Sequence, residues 1–169
     1  AGSGAGCEAE LATAPCTLLE EGILTHVAWG ASGSNGLAAV GQDGAAHHVV
    51  IREDGSLVEL AQRAAHELEA WCVDVSSMDA GPVGAHLVLT GADDSRLVGW
   101  DLRESPDAPP AFVNRRGHTA GVTAVACSPH AEWCLATGSY DEKVRIFDLR
   151  AAARTPLSES EQLGDGAYH

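Results

Sequence analysis

Three residue types that together perform acyl transfer stand in the stretch from Gly117 to Arg150: the imidazole of His118, the hydroxyl of Ser139 and the carboxylate of Asp141. A serine becomes a nucleophile when a histidine takes its proton and a carboxylate holds that histidine in place. The same types recur upstream as His66, Thr90 and Asp94. Recurrence argues against a unique active site and for a structural set of polar groups that must be paired when buried. No G-x-S-x-G string occurs, so the turn that exposes an esterase serine has no sign in the sequence. Zinc chemistry of the H-E-x-x-H kind is excluded at His66-Glu67, because Ala70 stands where the second histidine belongs. His47 and His48 are adjacent in a β-type run and project to opposite faces, which suits no shared metal. No metal and no cofactor are expected.

The elements that must position these groups are short and β-type. Within the stretch, VTAVACS, CLATGSY and KVRIFDL are rich in Val, Ile, Thr and aromatics and are separated by Ser128-Pro129-His130-Ala131 and by Asp141-Glu142. A fourth strand is expected over Thr155 to Ser160. The unit before it runs from His66 through HLVLTGADD and RLVGWDLR to AFVNRR, and its landmarks repeat at a fixed offset: Asp94 to Asp141 and Asp101 to Asp148 are both 47 positions. Upstream, LTHVAWG, LAAVGQD, AAHHVVI and SLVEL form a further set of four, with Val49-Val50 where the others carry an aromatic-Asp pair. These spacings divide the chain into a flexible opening segment (1–22), a degenerate unit (23–62), two clearer units (63–116 and 117–160) and the start of a next one, cut short (161–169). Gly2, Gly4 and Gly6 do not make a phosphate loop, since no strand precedes them and no helix pattern follows. Trp29, Trp71, Trp100 and Trp133 are read as packing between sheets.

Of 169 residues, 24 are acidic and 10 basic, a formal charge of -14. Such a surface repels phosphate backbones and anionic lipid heads, so neither nucleic acid nor membrane is an expected partner. Arg115-Arg116 reads as a solvated loop. The five cysteines, Cys7, Cys16, Cys72, Cys127 and Cys134, show no C-x-x-C pair and read as inert thiols. With no signal peptide pattern and no apolar run near the about 20 residues needed to span a bilayer, a cytoplasmic location is expected.

Gly117-His118 at the start of a unit and Phe147-Asp148 at its end resemble the WD-repeat signature, whose units form four-stranded propeller blades. The fold expected is therefore all-β: a WD40-type β-propeller with about three four-stranded antiparallel blades of a larger propeller. The resemblance implies a buried hydrogen-bonded set in each clear blade: His118 and Asp141 with Thr137 or Ser139, and His66, Asp94, Thr90 and Trp100. In the later blade Phe147 replaces the tryptophan and has no N–H to give.

The strings HELEAWCVDVSS, LTGADDSRLVGWDLR, HTAGVTAVACSP and LATGSYDEKVRIFDLR, taken in order, resemble the diphthamide-biosynthesis WD-repeat family of diphthine methyl esterases. The resemblance implies hydrolysis of the methyl ester of methylated diphthine on translation elongation factor two, a protein substrate. Its catalytic residues stay unassigned. Glu69, Trp71, Tyr140 and Glu142 are the candidate substrate face. A competing class is a binding module: Trp100-Asp101-Leu102-Arg103 and Phe147-Asp148-Leu149-Arg150 resemble W-D-x-R ends of substrate receptors, in which Arg103 and Arg150 would engage a cullin ubiquitin-ligase adaptor. The simpler reading pairs both arginines with blade acids.

Overall fold

The computed structural model describes residues 17–19, 21–30, 35–76, 86–131 and 133–161. The readings of the opening glycines, Cys7, Cys16, the 31–34 turn and the chain end from 162 onward lie outside the described residues.

Short apolar and β-branched runs between turns give twelve strands among the described residues. They are β1 Leu24–Trp29, β2 Gly36–Gly41, β3 Ala45–Ile51, β4 Leu57–Ala64, β5 Ala70–Val75, β6 Leu87–Ala92, β7 Leu97–Asp101, β8 Phe112–Asn114, β9 Val122–Cys127, β10 Cys134–Ser139, β11 Val144–Asp148 and β12 Pro156–Glu159. They form three antiparallel four-stranded meanders, β1 to β4, β5 to β8 and β9 to β12. The all-β architecture in four-stranded blades expected from the sequence is the one observed. No α-helix occurs among the described residues, and no helix there is long and apolar enough to cross a membrane.

The blades stack face to face. Between the first two lie Ala38, Val40, Ala46, Ala70, Val73, Val88 and Trp100. Between the second and third lie Leu89, Leu97, Val122, Leu135 and Phe147. Each large side chain fully buried there contributes about 1.5–3 kcal/mol. The innermost strand of the middle blade, β5, packs between β1 and β9. Hydrogen bonds cross both junctions. Thr25 Oγ1 donates to Ala70 O at 2.5 Å, and Val73 N donates to His26 Nδ1 at 3.1 Å. Cys72 Sγ lies 3.6 Å from Val122 O, and Cys127 N donates to Asp74 Oδ2 at 2.6 Å.

Each inner strand carries a register shift against its neighbour: between Leu24 and His26, between Ala70 and Cys72, and opposite Gly138 and Ser139. Thr25, Trp71 and Thr123 are the residues skipped, so a bulge re-aims one side chain per blade. The turns between second and third strands also repeat. Asp43, Asp94 and Asp141 each accept the N–H two residues on, from Ala45, Arg96 and Lys143. The residue after each aspartate is left-handed: Gly44 (φ 71°), Ser95 (φ 62°) and Glu142 (φ 65°). Only Gly44 could not bear a side chain, since a Cβ there would fall 2.6 Å from Leu68 O.

Candidate functional site

The middle blade assembles three of its four expected partners. His66 precedes β5, Thr90 lies on β6 and Asp94 in the β6–β7 turn. His66 Nδ1 is 3.0 Å from Asp94 Oδ1, and Nε2 is 2.9 Å from Thr90 Oγ1. A carboxylate only accepts, so Nδ1 carries the hydrogen and Nε2 accepts from the threonine hydroxyl. Trp100 does not join this set. Its indole N–H is buried without a partner, and its ring faces the apolar junction with the first blade, where the Arg63 guanidinium lies 5.9 Å from the ring centre. In the strand register Thr90 pairs with Val98, and Trp100 is opposite Val88.

In the third blade Thr137, not Ser139, holds the histidine: His118 Nε2 is 2.8 Å from Thr137 Oγ1. Ser139 instead donates to Ala120 O and accepts from Asp141 N. Asp141 is 3.5 Å from His118 Nδ1, because Arg145 stands between them. Arg145 Nη1 is 2.7 Å from both His118 Nδ1 and Asp141 Oδ2, and its Nε is 2.7 Å from Glu159 Oε2 on β12. Phe147 tilts against the His118 ring at 6.1 Å, occupying the tryptophan position.

Burial, then the charge of Arg145, pushes His118 below the ordinary histidine value; burial does the same to His66 despite Asp94. Burial alone would raise Asp141, but the Thr119 N–H and Arg145 outweigh it and hold its carboxyl below the usual range. Thr90 and Thr137 are fully buried, so neither set presents a hydroxyl to solvent. The sets hold blades together.

Arg145 was not among the residues expected in the set, nor was its counterpart in the first blade. There His47, fully buried, is 3.0 Å from Asp43 and 2.6 Å from Glu59 on β4. Turn aspartate, third-strand cation-forming residue and fourth-strand glutamate thus recur as Asp43–His47–Glu59 and Asp141–Arg145–Glu159. The signal was available as an Asp followed four residues later by a basic side chain on the buried parity of a strand. Val98 takes that place in the middle blade. His48, half-buried, is lowered by burial and by Arg63.

Of the candidate substrate residues, Glu69 and Tyr140 border the junction between the second and third blades, through Asp93 and Gly121. Glu69 O accepts from Asp93 N, and a Cβ on Gly121 would sit 2.7 Å from Asp93 Oδ1 and 3.2 Å from the Tyr140 ring. Tyr140 N donates to Gly121 O. Of the three buried side-chain atoms without a partner among the described residues, two are Trp71 Nε1 and Glu142 Oε2. Arg103 and Arg150 fold back onto their own blades: Arg103 makes three side-chain contacts of 2.5 to 3.2 Å to Asp101, and Arg150 three of 2.7 to 3.2 Å to Asp148. These pairs hold both carboxyls below their ordinary values.

Residues 112–148 match the family described as WD domain, G-beta repeat. The chain is 38% identical over 117 residues to a diphthine methyltransferase of Mus musculus, covering 69% of this chain and 23% of the relative. It is 33% identical over 139 residues to a diphthine methyltransferase of Homo sapiens, covering 80% and 28%. The chain therefore spans about a quarter of the length of the curated relatives it matches. A chain in the crystal structure of the mitotic checkpoint complex superimposes with a TM-score of 0.65 at 21% identity, covering 84% of this chain and 39% of that one, a likeness of fold.

Proposed function

We propose, on the premise that this chain is a partial WD-repeat β-propeller similar to the diphthine methyltransferases, that it serves diphthamide biosynthesis by hydrolysing the methyl ester of methylated diphthine on translation elongation factor two. The observation that carries the reading is the similarity to those relatives across 80% of the chain, well beyond the single matched repeat. In the reaction, water adds to the ester carbonyl, the tetrahedral intermediate expels methanol, and the carboxylate remains. Donors aimed at the developing oxyanion would lower the barrier. The His66 and His118 sets are not assigned to this chemistry, since their hydrogen bonds are spent within the blades.

Substrate contact is assigned to Glu69, Trp71, Tyr140 and Glu142. Support comes from Trp71 and Glu142, each of which keeps a buried polar atom without a partner. Unpaired polar atoms gather where a protein meets its ligand.

Mass spectrometry of elongation factor bearing methylated diphthine, incubated with the protein, tests the reaction. Loss of one methylene from the modified residue supports it. Gain of one methylene by unmethylated diphthine in the presence of a methyl donor, the direction that the relatives' name describes, replaces hydrolysis by transfer. Trp71→Phe and Glu142→Gln are expected to raise KM without changing Tm; unaltered KM in both removes these residues from the substrate site.

A further inference from the structure

A cleft of about 270 Å³ opens on the outer side of the second junction, between the outermost strand of the middle blade and the connection leading into β12. It is lined by Val113, Asn114, Arg115, Arg116, Ala152 and Arg154. Arg96, Arg103, Arg145 and Arg150 are all ion-paired, whereas Arg115, Arg116 and Arg154 have no carboxylate partner among the described residues and are exposed. On a chain of net charge -14, three unneutralised guanidinium groups on one cleft are the opposite of the surrounding surface.

The cleft is held in shape from below. Asn114 is 6% exposed. Its Nδ2 donates to Ala153 O at 2.5 Å, and its Oδ1 accepts from Arg116 N at 2.9 Å and Gly117 N at 2.8 Å. One buried amide thus clamps the loop carrying Arg115 and Arg116 to the turn that precedes Arg154. That turn is itself unusual, with Ala152 and Ala153 left-handed at φ 53° and 47°. Gly117 is required beside the clamp, since a Cβ there would lie 2.6 Å from Asn114 Nδ2.

We propose that this cleft is a docking site for an acidic peptide segment of a partner protein. Planar guanidinium groups take carboxylates in paired hydrogen bonds, and Val113 and Ala152 supply an apolar floor for the aliphatic stems of glutamates. The overall negative charge disfavours a polyanion as long as a nucleic acid, whereas a short acidic segment meets chiefly the local field.

Fluorescence anisotropy of the full chain with a fluorescein-labelled peptide of alternating glutamate and serine reads the site. Saturable binding that weakens with added salt is expected, with a loss of about tenfold or more in Arg115→Ala/Arg116→Ala/Arg154→Ala and smaller losses in Arg115→Ala and Arg154→Ala alone. Arg52→Ala, which removes an exposed arginine elsewhere, is expected to bind as the parent does. Triple-variant binding equal to the parent's, loss matched by Arg52→Ala, a peptide held no more tightly than inorganic phosphate, or equal uptake of an RNA oligonucleotide by the same arginines would each overturn the proposal. Tm, expected unchanged in all variants, separates lost binding from lost fold.

Discussion

Arg145 Nη1 and His118 Nδ1 are 2.7 Å apart in the core of the third blade. A guanidinium has no acceptor, so the imidazole must receive that hydrogen bond and carry its own hydrogen on Nε2, toward Thr137. His66 carries it on Nδ1, toward Asp94. Two histidines at equivalent places in adjacent blades are therefore opposite tautomers. Nitrogen-15 NMR of the ring resonances at neutral pH should show one of each, and identical tautomers would contradict the arrangement.

Arg145→Met should destabilise the chain by about 3–5 kcal/mol, because Asp141 stays 5% exposed with its guanidinium partner removed. Urea titration measures it. A change under about 1 kcal/mol would mean that the Thr119 and Lys143 N–H groups satisfy the carboxylate without the guanidinium.

Stability should fall in mild acid. The folded-state values of His66 and His118 lie below 6.5, so between those values and 6.5 the unfolded chain binds more protons. Their contribution is complete above about pH 6.5 and is lost as pH drops through that window. Thermal midpoints across pH 7.5 to 4.5 should decline, and less steeply in His66→Asn/His118→Asn.

Gly91→Ala should cost about 1–3 kcal/mol by overpacking, since its Cβ would fall 2.6 Å from Val122 Cγ1 and 2.8 Å from Cys72 Sγ. Both neighbours belong to the second junction and neither is a flexible chain end. A midpoint in denaturant equal to the parent's would show that β6 and β9 can separate without loss.

Cys72 should resist alkylation in the folded state. Burial pushes its thiol up to about 12, leaving almost no thiolate at neutral pH. Peptide mapping after brief iodoacetamide treatment should find Cys72 unmodified in buffer and modified in denaturant.

How far the sequence reached depends on which interactions are local in it. The turn aspartates Asp94 and Asp141, their histidines and the four-strand rhythm follow from spacing; the structure bonds Asp94 directly to His66 and joins Asp141 to His118 through Arg145. The choice of Thr137 over Ser139 needed the strand register, which pairs Thr137 with Val125 and sets Ser139 beside the bulge at Thr123. Trp100 looked like a fourth member because it lies at the expected offset. It packs instead against the apolar junction and Arg63, a residue 37 positions away that no local pattern connects to it. Arg145 was hidden by its type, since an arginine in a strand reads as solvent-facing until its parity with Phe147 is noticed.

The hydrogen bonds across the blade junctions run in both directions. Thr25 and Cys72 reach forward to a carbonyl of the next inner strand, while Val73 and Cys127 reach back with a backbone N–H to His26 and Asp74. Neither neighbour can loosen alone without stranding a group in the other. Repeat arrays in which coupling between units is strong relative to each unit's own stability melt as one body. A chain built this way should lose all three blades in a single cooperative step rather than fraying from one end.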